Sequence, residues 1–278
     1  KEAVAKLAGF PMPVPTLALN QIPLAPTGGA APANTDPMLF RFSLSPEDEA
    51  VDAAHRAYAD GHRQALIVHP GNEWGERLAT AFASVWQELG GTVLERVVYN
   101  QDGADYAAIT RELFNLDSSQ LRGTLLTQDL GVPIHSGARK RRDADMIFMP
   151  SSPASARQVM PHFRYFGADT VPVYATAAVF AGAPNPRLDQ DIDGVRFPDI
   201  PWVTSGSADA SAFQQLLDHE FPASATGLRR LYAFGADAFE IMAQMSLLTS
   251  KPGLTLAGET GLIFHQSAGG APIHGGGR

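Results

Sequence analysis

Ala65-Leu-Ile-Val-His69 is a short apolar run, Pro70-Gly-Asn72 breaks it, and Trp74, Leu78, Ala81, Phe82, Val85, Trp86 and Leu89 then recur at helical spacing up to Gly90-Gly91. Thr92 to Tyr99 follows as a β-branched segment. This stretch reads as one complete βαβ unit, with a first strand buried on both faces and a helix stopped by glycine. In open α/β sheets, ligands sit at the loops leaving the strand C-termini. Here that loop is His69-Pro-Gly-Asn-Glu-Trp-Gly75. It is not a phosphate cradle, a dinucleotide turn or a nucleophile elbow, so it points away from the common α/β enzymes and towards a binding protein.

Similar alternation extends on both sides. Upstream, Val14–Leu19 reads as a strand, 23–37 as a Pro/Ala/Gly-rich loop, and Leu39–Leu44 as an extended segment. Ser45-Pro-Glu-Asp-Glu49 is a helix start: an N-cap Ser, Pro in the first turn, then carboxylates facing the positive helix end. Downstream, 106–116 and the leucines 121, 125, 126 and 130 suggest helices, Met146–Met149 and Val171–Tyr174 strands, and 154–166, 208–221 and 228–248 further helices. Strand–helix alternation of this kind implies α/β architecture with parallel sheets.

With 278 residues, the chain is one large domain or two α/β lobes. A net charge of −8 argues against nucleic acid as the main partner. The absence of cysteine removes thiol catalysis and thiolate metal sites. No apolar stretch reaches the ~20 residues that span a membrane. The chain opens on Lys-Glu-Ala-Val-Ala-Lys-Leu-Ala, which reads as mid-helix, so it is expected to be a fragment whose parent carries any anchor.

Motifs that suggest chemistry have plainer readings. Asp189-Gln-Asp-Ile-Asp-Gly194 matches the first half of a calcium loop, but position twelve is Ile200 and Pro198 blocks the exiting helix. A solvated acidic turn explains it better. The eight histidines show no metal-ligand spacing. No metal and no cofactor is therefore expected. Glu47, Asp48 and Glu49 belong to a helix N-terminus rather than to a carboxylate site. Arg139-Lys-Arg-Arg142 is the sharpest charge cluster in an acidic chain. It is either a solvated loop or a contact for an acidic protein surface or anionic glycan. Trp74 starts an apolar stripe, which makes core packing its default role and the ligand side of the sheet its functional one.

An ordered set of short motifs narrows the reading. It comprises Leu17-Ala-Leu-Asn20, Phe42-Ser-Leu-Ser-Pro-Glu-Asp-Glu-Ala50, Trp74-Gly75, Leu89-Gly-Gly91, Arg141-Arg-Asp-Ala-Asp145, Val173-Tyr-Ala-Thr176, Asp191-Ile-Asp-Gly-Val195, Pro201-Trp202, Gly235-Ala-Asp-Ala238 and Thr260-Gly261. Together they resemble the C-terminal domain of the LppC family, the LpoA-type activators of penicillin-binding proteins. The resemblance implies a type I periplasmic-binding-protein-like fold, two doubly wound parallel-sheet lobes around a cleft, with the first part of lobe one missing. It places lobe one at 1–62 and 199–252 and lobe two at 63–198 and 253–278. It also implies a periplasmic lipoprotein on the inner face of the outer membrane that activates a class A penicillin-binding protein, a peptidoglycan synthase, without being an enzyme. Ala177 stands where Ser is usual and Phe239 where Tyr is usual, each losing a hydroxyl.

On that mapping the cleft-lining candidates are Asn20, Ser43, Ser45, Trp74, Tyr174 and Thr176, and the partner-contact candidates are Arg139, Lys140, Arg141 and Arg142. The alternative reading is a periplasmic solute receptor that holds an amino acid or peptidoglycan fragment between its lobes.

Overall fold

The structure is a computed structural model that describes residues 12–19, 38–100, 105–132, 139–204, 210–251 and 253–264, with backbone only for 222–226. In chain order the elements are β1 (Thr16–Ala18), β2 (Leu39–Arg41), α1 (Pro46–Ala59), β3 (Gln64–Pro70), α2 (Glu73–Glu88), β4 (Thr92–Tyr99), α3 (Tyr106–Leu113) and α4 (Leu116–Leu130). They continue with β5 (Met146–Phe148), α5 (Pro153–Tyr165), β6 (Val173–Tyr174), α6 (Pro201–Thr204), α7 (Ala212–Glu220), α8 (Pro222–Ala243), α9 (Met245–Ser250), β7 (Thr255–Ala257) and β8 (Leu262–Phe264). The chain divides into two compact units, Lys1–Ser45 with Asp199–Arg278, and Pro46–Pro198.

The Pro46–Pro198 unit is built on a parallel sheet in the order β4-β3-β5-β6. Every β3 residue after Gln64 is buried, as a strand covered on both faces requires. One face packs Ala53, Ala57, Ile67, Leu78, Phe82, Trp86 and Phe148 from α1, α2 and the sheet. Phe82 stacks on Phe148 with ring centroids 4.1 Å apart. The other face packs Leu66, Val68, Val97, Leu113, Phe114, Val159 and Phe163 under α3 and α5. Asn72 caps α2 by accepting from the Gly75 N–H at 2.8 Å. At the far end Gly90 has a positive φ of 92°, and a Cβ on Gly91 would lie 2.4 Å from the Trp86 ring. The glycine pair therefore both turns the chain and admits the tryptophan. Edge strand β4 carries a register shift opposite Ala65/Leu66, which breaks its regular pairing.

The other unit holds a parallel β1-β2 pair and an antiparallel β7-β8 hairpin. Phe42, Ile241, Leu248 and Ile263 form one core cluster, with Phe234 stacked on Phe42 at 4.8 Å. Ile200, Trp202, Leu217 and Ala233 form a second. Arg230 pairs with the buried Asp199 carboxylate, Nε to Oδ1 at 2.9 Å.

The expected α/β class with parallel sheets is what the structure has, but the lobe boundaries move. The family resemblance implies that 46–62 belong to lobe one. Instead α1 lies in the second unit, because its alanine stripe, Ala50, Ala53, Ala54 and Ala57, packs against α2 and the sheet. The resemblance also implies that 253–278 belong to lobe two, whereas β7 and β8 belong with the first unit, where Ile263 joins Phe42 and Ile241. Several element limits differ as well. The single helix expected over 106–116 is two, jointed at Asn115 in the left-handed region at φ 56°. The helix expected from 228 starts at Pro222, since proline is suited to a first turn. Beyond β6, Tyr174 and Arg196 form one isolated parallel bridge. The helix expected over residues 1–9 lies outside the described residues.

Candidate functional site

The sheet order fixes where a site belongs in the second unit. From β3 the chain moves outward through α2 to β4. From β5 it moves the other way through α5 to β6. The loops after β3 and β5 thus leave the sheet in opposite directions, which is the switch point at which open α/β sheets bind ligands.

At the end of β3, His69 is fully buried. Its Nε2 accepts from Arg96 Nε at 2.9 Å, which leaves Nδ1 to carry the proton and donate to the Pro70 carbonyl at 3.0 Å. Arg96 in turn pairs with Glu76 on α2, 2.7 Å away. Burial, reinforced by the Arg96 charge, holds the His69 pKa below the ordinary histidine value, against weaker opposing pulls from Pro70 and Glu76. Both ring nitrogens are engaged, so His69 offers no free base to a substrate. Gly75 completes this corner: a Cβ there would meet the Pro70 carbonyl at 2.3 Å, so only glycine lets α2 start so close to the strand.

At the end of β5, Ser152 caps α5 by accepting from the Ser155 N–H at 3.2 Å. Ser151 is buried, with its hydroxyl 3.4 Å from the Met149 carbonyl. After β6, Thr176 is fully buried and its hydroxyl has no hydrogen-bond partner. The next residue, Ala177, donates its N–H to Glu49 at 2.9 Å. Glu47, two residues earlier, accepts from Arg77 Nε at 2.6 Å. The first-turn carboxylates of α1 therefore tie that helix to α2 and to the loop after β6, beyond the helix-end role that the sequence suggests.

The cleft-lining candidates separate. Thr176 sits at the loop cluster. Trp74 is part-buried against the α2 side of the core, its default role. The Tyr174 side chain is buried, and its hydroxyl donates to Asp60 at the foot of α1, 2.7 Å away, while accepting from Arg196 at 2.9 Å. Burial and the Asp60 carboxylate push that phenol up to about 12. Tyr174 packs on the α1–α2 face of the sheet and its neighbours Val173 and Ala175 on the other, as alternation along a strand requires. Ser43 is half-buried and Ser45 buried in the other unit. Asn20 lies outside the described residues.

The basic segment is partly consumed as well. Arg141 makes a two-pronged contact with Asp143, at 2.8 and 2.9 Å, and lies 3.7 Å from Glu95. Lys140 donates to Thr170. Within this segment the guanidinium groups of Arg139 and Arg142 have no partner among the described residues. Asp189, from the calcium-like stretch, accepts from the Asn185 N–H and pairs with Arg157. Among the described residues no group of three or more His, Asp or Glu is placed to hold a metal, and no helix is long and apolar enough to cross a membrane.

The His69–Arg96–Glu76 chain and the Glu49–Ala177 bond escaped the sequence reading. His69 was visible as a strand-end residue. Its partners were not, since they come from a neighbouring strand and a helix and carry no spacing signal.

Comparison with known proteins agrees with the architecture. The penicillin-binding protein activator LpoA of Photobacterium profundum is 30% identical over 223 residues, which are 80% of this chain and 36% of that protein. The C-domain of LpoA from Haemophilus influenzae, described as a regulator of PBP1A, superposes with a TM-score of 0.65 at 25% identity, over 96% of this chain and 73% of that one. An ABC-transporter solute-binding protein from R. palustris shares the fold, with a TM-score of 0.53 at 18% identity over 82% of this chain and 58% of that one. The chain spans well under half the length of the curated relatives it matches. The LppC lipoprotein family model matches residues 1–268, and the chain, a type I periplasmic-binding-protein-like α/β protein, belongs to that family.

Proposed function

We propose that this chain is a regulatory domain that binds a class A penicillin-binding protein and stimulates its peptidoglycan synthesis, with no chemistry of its own. The observation that carries the reading is the match over 96% of the chain to the LpoA C-domain described as a regulator of PBP1A. The site geometry supports it: His69, Ser152, Glu47 and Glu49 at the ligand-facing end of the sheet are committed to internal bonds. Such regulation needs only tighter binding to the active synthase than to the inactive one, and a difference of about 1–3 kcal/mol gives roughly 5–150-fold coupling. The LppC lipoprotein match supports placing the domain in the periplasm, on the inner face of the outer membrane, as part of a lipid-anchored protein.

The test mixes the purified chain with the class A synthase of the same organism and follows glycan polymerisation and peptide crosslinking. Stimulation with direct binding is expected. Absence of both, with a folded domain, overturns the reading. A large thermal stabilisation by one amino acid or peptidoglycan fragment would instead favour the solute receptor, whose structural support is the unpartnered Thr176 hydroxyl.

A further inference from the structure

Helix α4 is the outlier of the second unit. Helices α1, α2 and α5 each bury a stripe of side chains, whereas α4 buries only Leu116 and Gly123. Leu121, Leu125, Leu126 and Leu130 are 59%, 48%, 52% and 62% exposed, and Val132 just beyond the helix is 59% exposed. Leu121/Leu125 and Leu126/Leu130 are two i, i+4 pairs on adjacent stripes. Leucines exposed in this number on one helix of a folded unit suit a place of contact.

The basic segment runs alongside. Arg139 donates its N–H to the Ser119 hydroxyl at 3.1 Å, and Arg141 donates its N–H to the Phe114 carbonyl at 3.1 Å. Residues 139–141 therefore run from the first turn of α4 at Ser119 back to Phe114 at the end of α3. Ser119, Arg122 and Leu126 share one stripe at i, i+3 and i+7, which puts Arg122 one turn from that crossing. The guanidinium groups of Arg122, Arg139 and Arg142 have no ion pair among the described residues, although the chain carries a net charge of −8. Asp117 on the same helix is already paired with Arg111, which leaves Asp129 as the unpaired carboxylate of α4.

We propose that α4, with Arg122, Arg139 and Arg142, is the face on which the synthase docks, through a segment that presents apolar side chains flanked by carboxylates. This rests on the activator reading and locates it. Charge selects the occupant. A second copy of the chain on a two-fold axis would set the same uncompensated arginines against each other, whereas an acidic segment neutralises them while covering the leucines. The exposed residues Leu231 and Phe239 of α8 give no such indication, because the neighbouring Arg229 and Arg230 are already paired with Asp218 and Asp199.

The test measures binding of the full chain to the class A synthase of the same organism. The variants are Leu121→Glu/Leu125→Glu and Arg139→Glu/Arg142→Glu, with Leu231→Glu on α8 as a control, all checked for folding by circular dichroism and urea unfolding. Both α4-face variants should bind at least about tenfold more weakly and the control within about twofold, with a shallower salt dependence for the arginine variant. If folded α4-face variants bind like the unsubstituted chain, the docking face is wrong while the activator reading stands. If the unsubstituted chain fails to bind the synthase, the activator reading fails and takes this face with it. If the chain dimerises and the leucine variant splits the dimer without changing synthase affinity, α4 is a self-association surface and the proposal is overturned.

Discussion

Thr260 donates both its backbone N–H, at 2.7 Å, and its hydroxyl to the same carboxylate oxygen of Asp237, while Glu259 donates its N–H to the other oxygen at 2.8 Å. Asp237 is buried on α8 and the acceptors it offers hold the turn between β7 and β8. Two short motifs separated by more than twenty residues, Gly235-Ala-Asp-Ala and Thr260-Gly261, thus form one device. Gln214 on α7 adds a bond to Glu259 at 2.6 Å. Asp237→Ala strands two turn N–H groups and a hydroxyl away from water. It should cost about 2–4 kcal/mol of stability, read from urea unfolding. A loss below about 0.5 kcal/mol would show that the turn is held by other means.

Gly258 gives an independent check of the same corner. A Cβ there would lie 2.6 Å from both Asp237 Oδ2 and the Ile263 side chain. Gly258→Ala must therefore push the carboxylate or the core aside, at a cost of about 1–3 kcal/mol. The comparison is Gly227→Ala on α8, where a Cβ meets nothing within 4 Å. If the two variants unfold at the same urea concentration, the packing at Asp237 is looser than described.

His69 should make the second unit acid-sensitive. Its folded pKa lies below the ordinary value of 6.5, first because it is buried and then because Arg96 stands beside it. Above that ordinary value both folded and unfolded states are neutral, and the stabilisation is complete. As pH falls below it, the unfolded chain takes up a proton that the folded chain refuses, so stability declines towards the lowered folded pKa. His69→Gln removes this proton uptake. The variant should show a flatter stability profile than the unsubstituted chain between about pH 7 and 5. Identical slopes would mean that His69 is not held neutral.

The joint at Asn115 is a backbone test. It is the one non-glycine residue with positive φ among the described residues, and asparagine tolerates that region better than most side chains. Asn115→Gly should be nearly neutral, whereas Asn115→Val should cost about 1–2 kcal/mol. Equal stability of the two, measured by thermal unfolding, would place the joint in another conformation.

Legibility followed range of interaction. Ala65 to Tyr99 was readable because burial on both faces forces continuous apolar runs in β3 and a 3.6-residue repeat in α2. The start of α1 was readable because capping is a matter of a few adjacent residues. The partners of Tyr174 were not readable, because strand position says where a residue is along the sheet, not which group its hydroxyl finds. Asp60 lies 114 residues away in the chain. The α4 leucines read as another helix, and nothing in their pattern distinguishes a buried stripe from an exposed one.

By itself, then, the sequence determined the α/β class, the parallel sheet, the absence of thiol chemistry and the family, since these rest on local periodicity, composition and short ordered motifs. Only the tertiary structure decided that α1 belongs with Pro46–Pro198 and the β7-β8 hairpin with the other unit. It alone showed that Arg141 is neutralised while Arg139 and Arg142 are not, and that α4 shows its leucines to solvent. The physical reason is common to all of these. Each depends on which groups from distant parts of the chain meet, and on whether a charge or an apolar face finds its complement there.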